Sequence, residues 1–260
     1  MKKNDLPIGI YDSGVGGVSV LCEAMKCLPH ENFLYYGDSK HAPYGTKSEE
    51  EIKELSLKCG EFLFNQGVKM IVIACNTATS IVVQTMRERY NIPIISIEPA
   101  VKPALLERRQ GRIIVLATPA TLKQKRYHTL LDNLDAQDIV INVECARLAD
   151  LIEKGNVADP HIKAYIHDKL VAYRGQAIDG IVIGCTHYSF VADKIKDIAA
   201  KMFPSFLDVY DGRYGTARHI VHVLDFENLR NGQNTDGTIE FFTSGNDDSL
   251  SVYRYFLSLL

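Results

Sequence analysis

Net charge and long hydrophobic runs are both scarce in this chain. The formal net charge is only −3 over 260 residues, which gives no electrostatic reason to expect a polyanionic partner, so we expect no nucleic-acid binding. No apolar run approaches the roughly 20 residues of a membrane-spanning helix, and the first residues contain no apolar segment of the signal-peptide type. These absences favour a cytoplasmic protein that does not associate with membranes.

The chain also lacks the patterns typical of nucleotide, metal and pyridoxal phosphate sites. The stretch DSGVGG at 12–17 matches neither the Walker lysine pattern nor the dinucleotide-binding spacing. A tight turn fits it better, as does a carboxylate site in which Asp12 accepts a proton or hydrogen bond from an amine or thiol. The sequence Cys-x-His at Cys185 and His187 is weak evidence for zinc, which needs three or four converging ligands. No lysine stands out as a Schiff-base partner, and we expect no metal and no cofactor.

The composition is that of an ordinary globular protein. Hydrophobic residues make up 46% of the chain and charged residues 23%, and the length suits one large α/β domain or two small ones with ample core. There are six cysteines, at positions 22, 27, 59, 75, 145 and 185. In a cytoplasmic protein these are reduced thiols, so a disulfide scaffold is not expected.

Two of the cysteines stand at equivalent places in similar stretches. Ile71-Val-Ile-Ala-Cys75 and Ile181-Val-Ile-Gly-Cys185 are each a β-branched run that stops on a thiol and polar residues. Each reads as a buried parallel strand whose carboxyl end delivers a cysteine to the next loop. In open α/β sheets that edge is where ligands bind. Cys22, Cys59 and Cys145 instead fit core positions, and Cys27 lies off the core stripe of its helix.

The pattern of strands occurs twice, with an offset of about 105 to 112 residues between the copies. The predicted strands are at 7–11, 32–36, 71–75 and 92–97 in the first copy, and at 111–118, 138–143, 180–184 and 206–210 in the second. The sequence therefore predicts an α/β fold of two similar, mostly parallel-sheet domains related by a pseudo-two-fold axis, with the active site in the cleft between them. We expect the first domain to be discontinuous, from residues 1–97 plus 210–260, and the second to span 98–209.

Local signals indicate where one helix begins and ends. Ser48 followed by Glu51 forms a capping box, in which both side chains bind free amides of the first turn. Gly67 closes the same helix.

Two opposed cysteines suit one kind of chemistry. If one thiolate removes a proton from a carbon and a thiol on the opposite face returns one, the centre is inverted, and the pair works in both directions. The polar residues after each cysteine, Asn76 with Thr77 and Thr186 with His187, could hold a substrate carboxylate and its α-amino group, together with backbone amides at the helix starts. If the strand continues past Cys185, His187 points the same way as the thiol and can tune it.

Five motifs in this order resemble the glutamate racemases of bacterial cell-wall synthesis, in the aspartate/glutamate racemase superfamily. They are GIYDSGVGG at 9–17, YGDS at 36–39 with PYG at 43–45, ACNTA at 74–78, IEP at 97–99 and GCTHY at 184–188.

The resemblance implies cofactor-independent interconversion of L- and D-glutamate, with Cys75 and Cys185 as the proton-transfer groups. It also implies a helper glutamate at Glu153, which with His187 would serve Cys185 as Asp12 serves Cys75. It further implies that binding or assisting residues are Asp12, Ser13, Pro43, Tyr44, Gly45, Asn76, Thr77, Thr186 and His187. Members of the family are commonly dimers, so a homodimer is expected.

We therefore predict an amino-acid racemase that acts on glutamate, a small-molecule substrate. Three alternatives remain open at this point. One is a racemase for aspartate or another small amino acid. Another is a hydrolase that uses Cys185 as nucleophile with His187 as base. The last is a binding protein that keeps the amino-acid cleft without catalysis.

Overall fold

The protein contains two parallel sheets, as seen in a computed structural model that describes residues 3–260. The first sheet has the strand order β4-β3-β1-β2-β9 and the second has the order β6-β5-β7-β8, and every pairing is parallel. The strands are β1 Ile8–Asp12, β2 Phe33–Gly37, β3 Met70–Ile73, β4 Ile94–Ser96, β5 Arg112–Ala117, β6 Val140–Glu144, β7 Ile178–Gly184, β8 Asp208–Asp211 and β9 Ile239–Thr243. The prediction of two parallel-sheet α/β units is confirmed.

Helices alternate with the strands along the chain. They are α1 Val18–Cys27, α2 Glu49–Asn65, α3 Asn76–Arg89, α4 Val101–Glu107, α5 Pro119–Lys123, α6 Lys125–Asn133, α7 Leu148–Glu153, α8 Pro160–Leu170, α9 Ala192–Met202, α10 Gly212–Phe226 and α11 Asp247–Ser258. Within residues 3–260, no helix is both long and apolar enough to cross a membrane.

The central strands are buried on both faces, which explains their continuous apolar sequences. All residues of β1, β3 and β7 are buried, as expected where helices cover both sides of a parallel sheet. One cluster of buried side chains includes Ile10 of the first sheet and Ile114 of the second. The two units therefore share a core, and their relative position is set partly by packing.

The chain returns to the first sheet after β8. Strand β9 pairs with β2, and α10 packs against α1. Tyr210 and Asp211 still pair with Val182 and Ile183 of the second sheet, so a domain boundary at 210 would divide β8. The assignment of domains stays a prediction, and we propose that the second unit extends to Asp211.

The local signals around α2 are met in part. Ser48 Oγ accepts a 3.2 Å hydrogen bond from Glu51 N, and Gly67 follows the helix with φ of +74°. The carboxylate of Glu51, however, bonds Lys47 Nζ at 2.6 Å. The predicted reciprocal bond from Glu51 to the Ser48 amide is replaced by this ion pair, in which the carboxylate lies next to a positively charged ammonium group.

Candidate active site

A narrow cavity lies where the carboxyl ends of the two sheets face each other. Its empty space, including the part open to solvent, is about 240 Å³, and both Cys75 and Cys185 line it. Cys75 follows β3 and Cys185 follows β7, so each sheet contributes one thiol. The other lining residues are Ser13, Pro43, Tyr44, Gly45, Asn76, Thr77, Thr118, Ala149, Thr186 and His187.

Cys75 is held at the start of α3. Its sulfur is in the capping position, where it accepts a 3.4 Å hydrogen bond from Ala78 N, and it lies 3.7 Å from Ser13 Oγ. The pKa of the Cys75 thiol is raised to about 12. Burial is the largest cause and the nearby Asp12 carboxylate the next, while the bonds with Ala78 and Ser13 act in the opposite direction. The thiol is therefore protonated in this cavity unless a positive charge arrives.

Asp12 ends β1 and is fully buried. Its Oδ1 accepts a 3.0 Å hydrogen bond from Gly14 N, and its Oδ2 accepts a 3.1 Å bond from Thr186 Oγ1. Burial raises the pKa of Asp12, although the nearby His187 and the Gly14 amide act in the opposite direction. This carboxylate does not line the cavity itself; it lies beside it, within electrostatic reach of Cys75.

Cys185 belongs to a hydrogen-bonded series with a histidine and a glutamate. Its Sγ lies 3.8 Å from His187 Nδ1, and His187 Nε2 lies 2.5 Å from Glu153 Oε2. Burial lowers the pKa of His187, but its bonds to Cys185 and Glu153 outweigh that effect and raise the pKa well above its usual value. The imidazole can thus exchange a proton with the thiol while the carboxylate stabilises its charged form.

The closeness of Cys185 and His187 has a different cause from the one the sequence suggested. Strand β7 ends at Gly184, and Thr186–Val191 is a 3-10 helix. The strand thus ends at the predicted residue 184, and the condition under which His187 would follow Cys185 along one strand face is not met. The tight turn after the strand brings the ring back to the sulfur.

The glycine-rich stretch at 12–17 allows the two units to approach closely. A Cβ on Gly14 would lie 2.5 Å from both carboxylate oxygens of Glu153, and a Cβ on Gly16 would lie 2.5 Å from His187 Nδ1 and Thr186 Oγ1. Val15 N, between them, donates a 3.1 Å hydrogen bond to Glu153 Oε2. The stretch therefore acts as a contact surface for the histidine and glutamate of the second unit.

The segment at 43–45 forms one wall of the cavity and is fixed from behind. Tyr44 is buried, and its hydroxyl donates a 2.5 Å hydrogen bond to Asp38 Oδ2. His41 Nδ1 bonds the other oxygen of Asp38 at 2.8 Å. A Cβ on Gly45 would lie 2.8 Å from the side chain of Thr118, so this wall meets the second unit directly.

Thr118 and Thr121 join the site without having been singled out in the sequence. Thr77 Oγ1 lies 3.0 Å from Thr118 Oγ1 and 3.1 Å from Thr121 Oγ1, and all three side chains are buried. The internal repeat contained a signal for Thr118, because an offset of about 105 residues makes it the counterpart of Ser13.

The structure gathers every predicted site residue in one region. Ten of the twelve line the cavity, and the other two, Asp12 and Glu153, bond to Thr186 and His187 from behind. In the part of the chain described, 3–260, no three side chains of His, Cys, Asp or Glu are grouped as metal ligands. The arrangement can exchange protons on two sides of a small molecule.

The fold and the site define a two-unit α/β protein in which two thiols, one from each unit, line a single cavity. The sequence profile described as Asp/Glu/Hydantoin racemase matches residues 17–207. The chain belongs to this family. A glutamate racemase of Clostridium botulinum (strain Loch Maree / Type A3) is 44% identical over 255 residues, which cover 98% of both chains.

Among solved structures, too, this chain is similar to glutamate racemases. A glutamate racemase from Francisella tularensis in complex with D-glutamate is 28% identical with a TM-score of 0.83, covering 98% of this chain and 94% of that chain. The glutamate racemase isoform RacE1 from Bacillus anthracis is 29% identical with a TM-score of 0.82, covering 94% of this chain and 90% of that one.

Proposed function

We infer that this protein is a glutamate racemase, an isomerase that interconverts L- and D-glutamate without a cofactor and supplies D-glutamate for peptidoglycan. One structural observation carries the inference: two thiols from the ends of equivalent strands line a single small cavity. The relatives at 44% identity over almost the whole chain support the choice of glutamate as substrate.

The reaction needs a base on one face of the α-carbon and an acid on the other. In one direction, the Cys75 thiolate removes the α-proton and the Cys185 thiol donates its proton to the opposite face. The inverted product leaves Cys75 protonated and Cys185 as thiolate, and the reverse reaction exchanges these roles. Before the next turnover in the same direction, Cys75 must release its proton and Cys185 must take one up, and with that exchange protons and charge balance over the complete cycle.

We propose that substrate binding lowers the pKa of Cys75. The α-ammonium group of glutamate brings a positive charge into a cavity beside which the Asp12 carboxylate is buried. An opposite charge near a thiol favours the thiolate. We propose that the ammonium group thereby lowers the pKa of the Cys75 thiol, which passes its proton to the neighbouring Asp12 carboxylate before the resulting thiolate removes the α-proton.

The carboxylates of the substrate have neutral partners in this cavity. Within the described range, 3–260, no lysine or arginine is among its lining residues. Ser13, Thr77 and Thr118 supply hydroxyl groups. Helix α3 begins at Asn76 in the cavity lining, so its first amides are available to a carboxylate. Asn76 is buried, and its Oδ1 has no hydrogen-bond partner among residues 3–260. We propose that this acceptor binds the α-ammonium group.

We propose that His187 and Glu153 serve the Cys185 side. In the neutral imidazole, Nε2 donates to Glu153, so Nδ1 is free to accept the thiol proton of Cys185. The bond to Glu153 fixes that tautomer and stabilises the imidazolium. Asp12 has the corresponding place on the Cys75 side.

We also propose that the protein assembles as a homodimer. Light scattering, which gives the mass in solution, tests this.

The direct test is proton NMR of L-glutamate and D-glutamate in deuterium oxide, with no added cofactor. We expect the wild type to exchange the α-hydrogen with inversion, and Cys75→Ser and Cys185→Ser each to lose most of the racemisation. Cys27→Ser, at an exposed thiol, is the matched control and keeps wild-type rates. If the wild type leaves glutamate unchanged but exchanges the α-hydrogen of aspartate, the assignment of glutamate as substrate is overturned. Full activity in either site variant would overturn the two-thiol mechanism.

A further inference from the structure

Glu153 is contacted by a residue that has no place in the mechanism above. Ser39 Oγ, just after β2, lies 3.4 Å from Glu153 Oε1. Tyr253 OH, from α11, lies 2.6 Å from Ser39 Oγ, and Thr243 Oγ1, at the end of β9, lies 3.1 Å from Tyr253 OH. We call the series Thr243, Tyr253 and Ser39 the hydroxyl relay.

The number of protons sets the direction of the hydroxyl relay. An ionised Glu153 can only accept, so Ser39 uses its single hydroxyl proton on the carboxylate. Tyr253 must then donate to Ser39, and Thr243 must donate to Tyr253. Thr243 Oγ1 in turn accepts a 2.9 Å bond from Gly245 N. All these donors point toward Glu153, and hydrogen bonds aligned in series strengthen one another.

Packing fixes the central hydroxyl of the relay. The Tyr253 side chain is fully buried, and its ring meets the Tyr35 ring edge to face at 5.3 Å between centroids. A Cβ on Gly37 would lie 2.0 Å from Tyr253 OH, so the glycine at the end of β2 makes room for the phenol. Because the ring has no space to shift, its hydroxyl has one position.

Helix α11 also contacts the second unit, which carries Glu153 and His187. Phe256 packs edge to face on Phe190, with 4.4 Å between centroids, and Phe190 lies in the 3-10 helix that contains His187. Val252 lies against Gly155, two residues after Glu153. The helix that carries Tyr253 is therefore docked on both segments whose relative position matters for Cys185.

We propose that Ser39 and Tyr253 are positioning residues for the Cys185 half of the reaction. They hold Glu153 against His187 and so keep the imidazole oriented toward the thiol. Neither residue lines the described cavity, and both act through Glu153. The proposal rests on the proposed racemase function and names the residues that organise one of its two bases.

The test compares Ser39→Ala and Tyr253→Phe with wild type through primary deuterium isotope effects on kcat/KM, using α-deuterated L- and D-glutamate separately. We expect kcat/KM to fall about fivefold, the rate equivalent of one ordinary hydrogen bond. The fall must be equal for both enantiomers because the ratio of their kcat/KM values equals the equilibrium constant between them. Only the isotope effects therefore show whether the step at Cys75 or the step at Cys185 has become slower.

The isotope effects should move in opposite directions. For the enantiomer whose α-proton Cys185 removes, carbon–hydrogen cleavage becomes more rate-limiting and the isotope effect rises. For the other enantiomer, reprotonation by Cys185 becomes limiting and the isotope effect falls. Ser13→Ala, which removes the hydroxyl next to Cys75, should give the mirror-image pattern.

Tyr255→Phe, on the exposed side of the same helix, is the matched control and should keep wild-type values. Isotope effects that change equally for both enantiomers in Ser39→Ala and Tyr253→Phe would show a general structural role and overturn the proposal. Unchanged kinetics in both variants would overturn it as well. If Tyr253→Phe fails to fold, Ser39→Ala decides. An inert wild type would instead refute the racemase function itself.

Discussion

Thr186 Oγ1 donates a 3.1 Å hydrogen bond to Asp12 Oδ2, and the two residues are 174 positions apart in the chain. Thr186 follows the thiol of the second sheet, whereas Asp12 ends the central strand of the first. The bond therefore joins the neighbourhoods of the two cysteines. It also stabilises a buried carboxylate that, after burial itself, contributes most to the raised pKa of Cys75, which has a measurable consequence.

Without substrate, alkylation of Cys75 by iodoacetamide should keep accelerating above about pH 9, because its pKa is about 12 rather than the usual ~8.5 of a free thiol. Asp12→Asn removes a negative charge that raises this pKa, so we expect faster alkylation at about pH 9 together with slower racemisation. Ser13→Ala removes a bond that lowers the pKa and should slow alkylation. Peptide mapping by mass spectrometry gives the rates, and a plateau at about pH 8.5 in wild type would contradict the prediction.

Gly16→Ala should nearly abolish racemisation. The new Cβ would lie 2.5 Å from His187 Nδ1 and Thr186 Oγ1, so the two units must separate at a cost of about 1–3 kcal/mol. Gly215→Ala, inside α10, should leave activity unchanged and raise the free energy of unfolding by about 0.5–1 kcal/mol. A Cβ at Gly215 would meet no side chain within 4 Å among residues 3–260. Urea unfolding and racemase assays of both variants test the pair. Wild-type activity in Gly16→Ala would show that close approach is not needed.

Thr118→Val should raise KM for glutamate about fivefold, because the variant loses a hydroxyl that lines the cavity and bonds Thr77. The same hydroxyl caps α5. Loss of the cap should also cost about 1 kcal/mol of stability. Thr118→Ser keeps the oxygen and should retain wild-type KM. Steady-state kinetics separates the two variants. Equal KM values in both would assign Thr118 a purely structural role.

Lys69→Met should destabilise the protein by about 3–5 kcal/mol. Lys69 Nζ lies 2.5 Å from Glu31 Oε2, and both side chains are buried. The lone substitution leaves a buried carboxylate without its counter-charge. Lys69→Met combined with Glu31→Leu removes both charges and should recover part of the loss in urea unfolding. Both residues precede the amino ends of strands, away from the cavity, so kcat of the folded variants should stay at the wild-type value. A double variant less stable than Lys69→Met would contradict this account.

The sequence by itself determined the architecture and the two thiols. Buried parallel strands need continuous apolar runs, and a ligand site at their carboxyl ends needs polar residues just after them. The runs before Cys75 and Cys185 show both features, and their repetition at a nearly constant offset indicates two equivalent units. These signals are local or periodic, so they can be read along the chain.

The tertiary structure alone decided how the residues around the thiols meet. Periodicity does not specify contacts between distant segments, such as Thr77 with Thr118 or Glu153 with His187. It also did not predict the 3-10 turn after β7 that brings His187 back to Cys185. The relay from Tyr253 to Glu153 depends on where the last helix docks. That position follows from side-chain packing between units, which no single stretch of sequence contains.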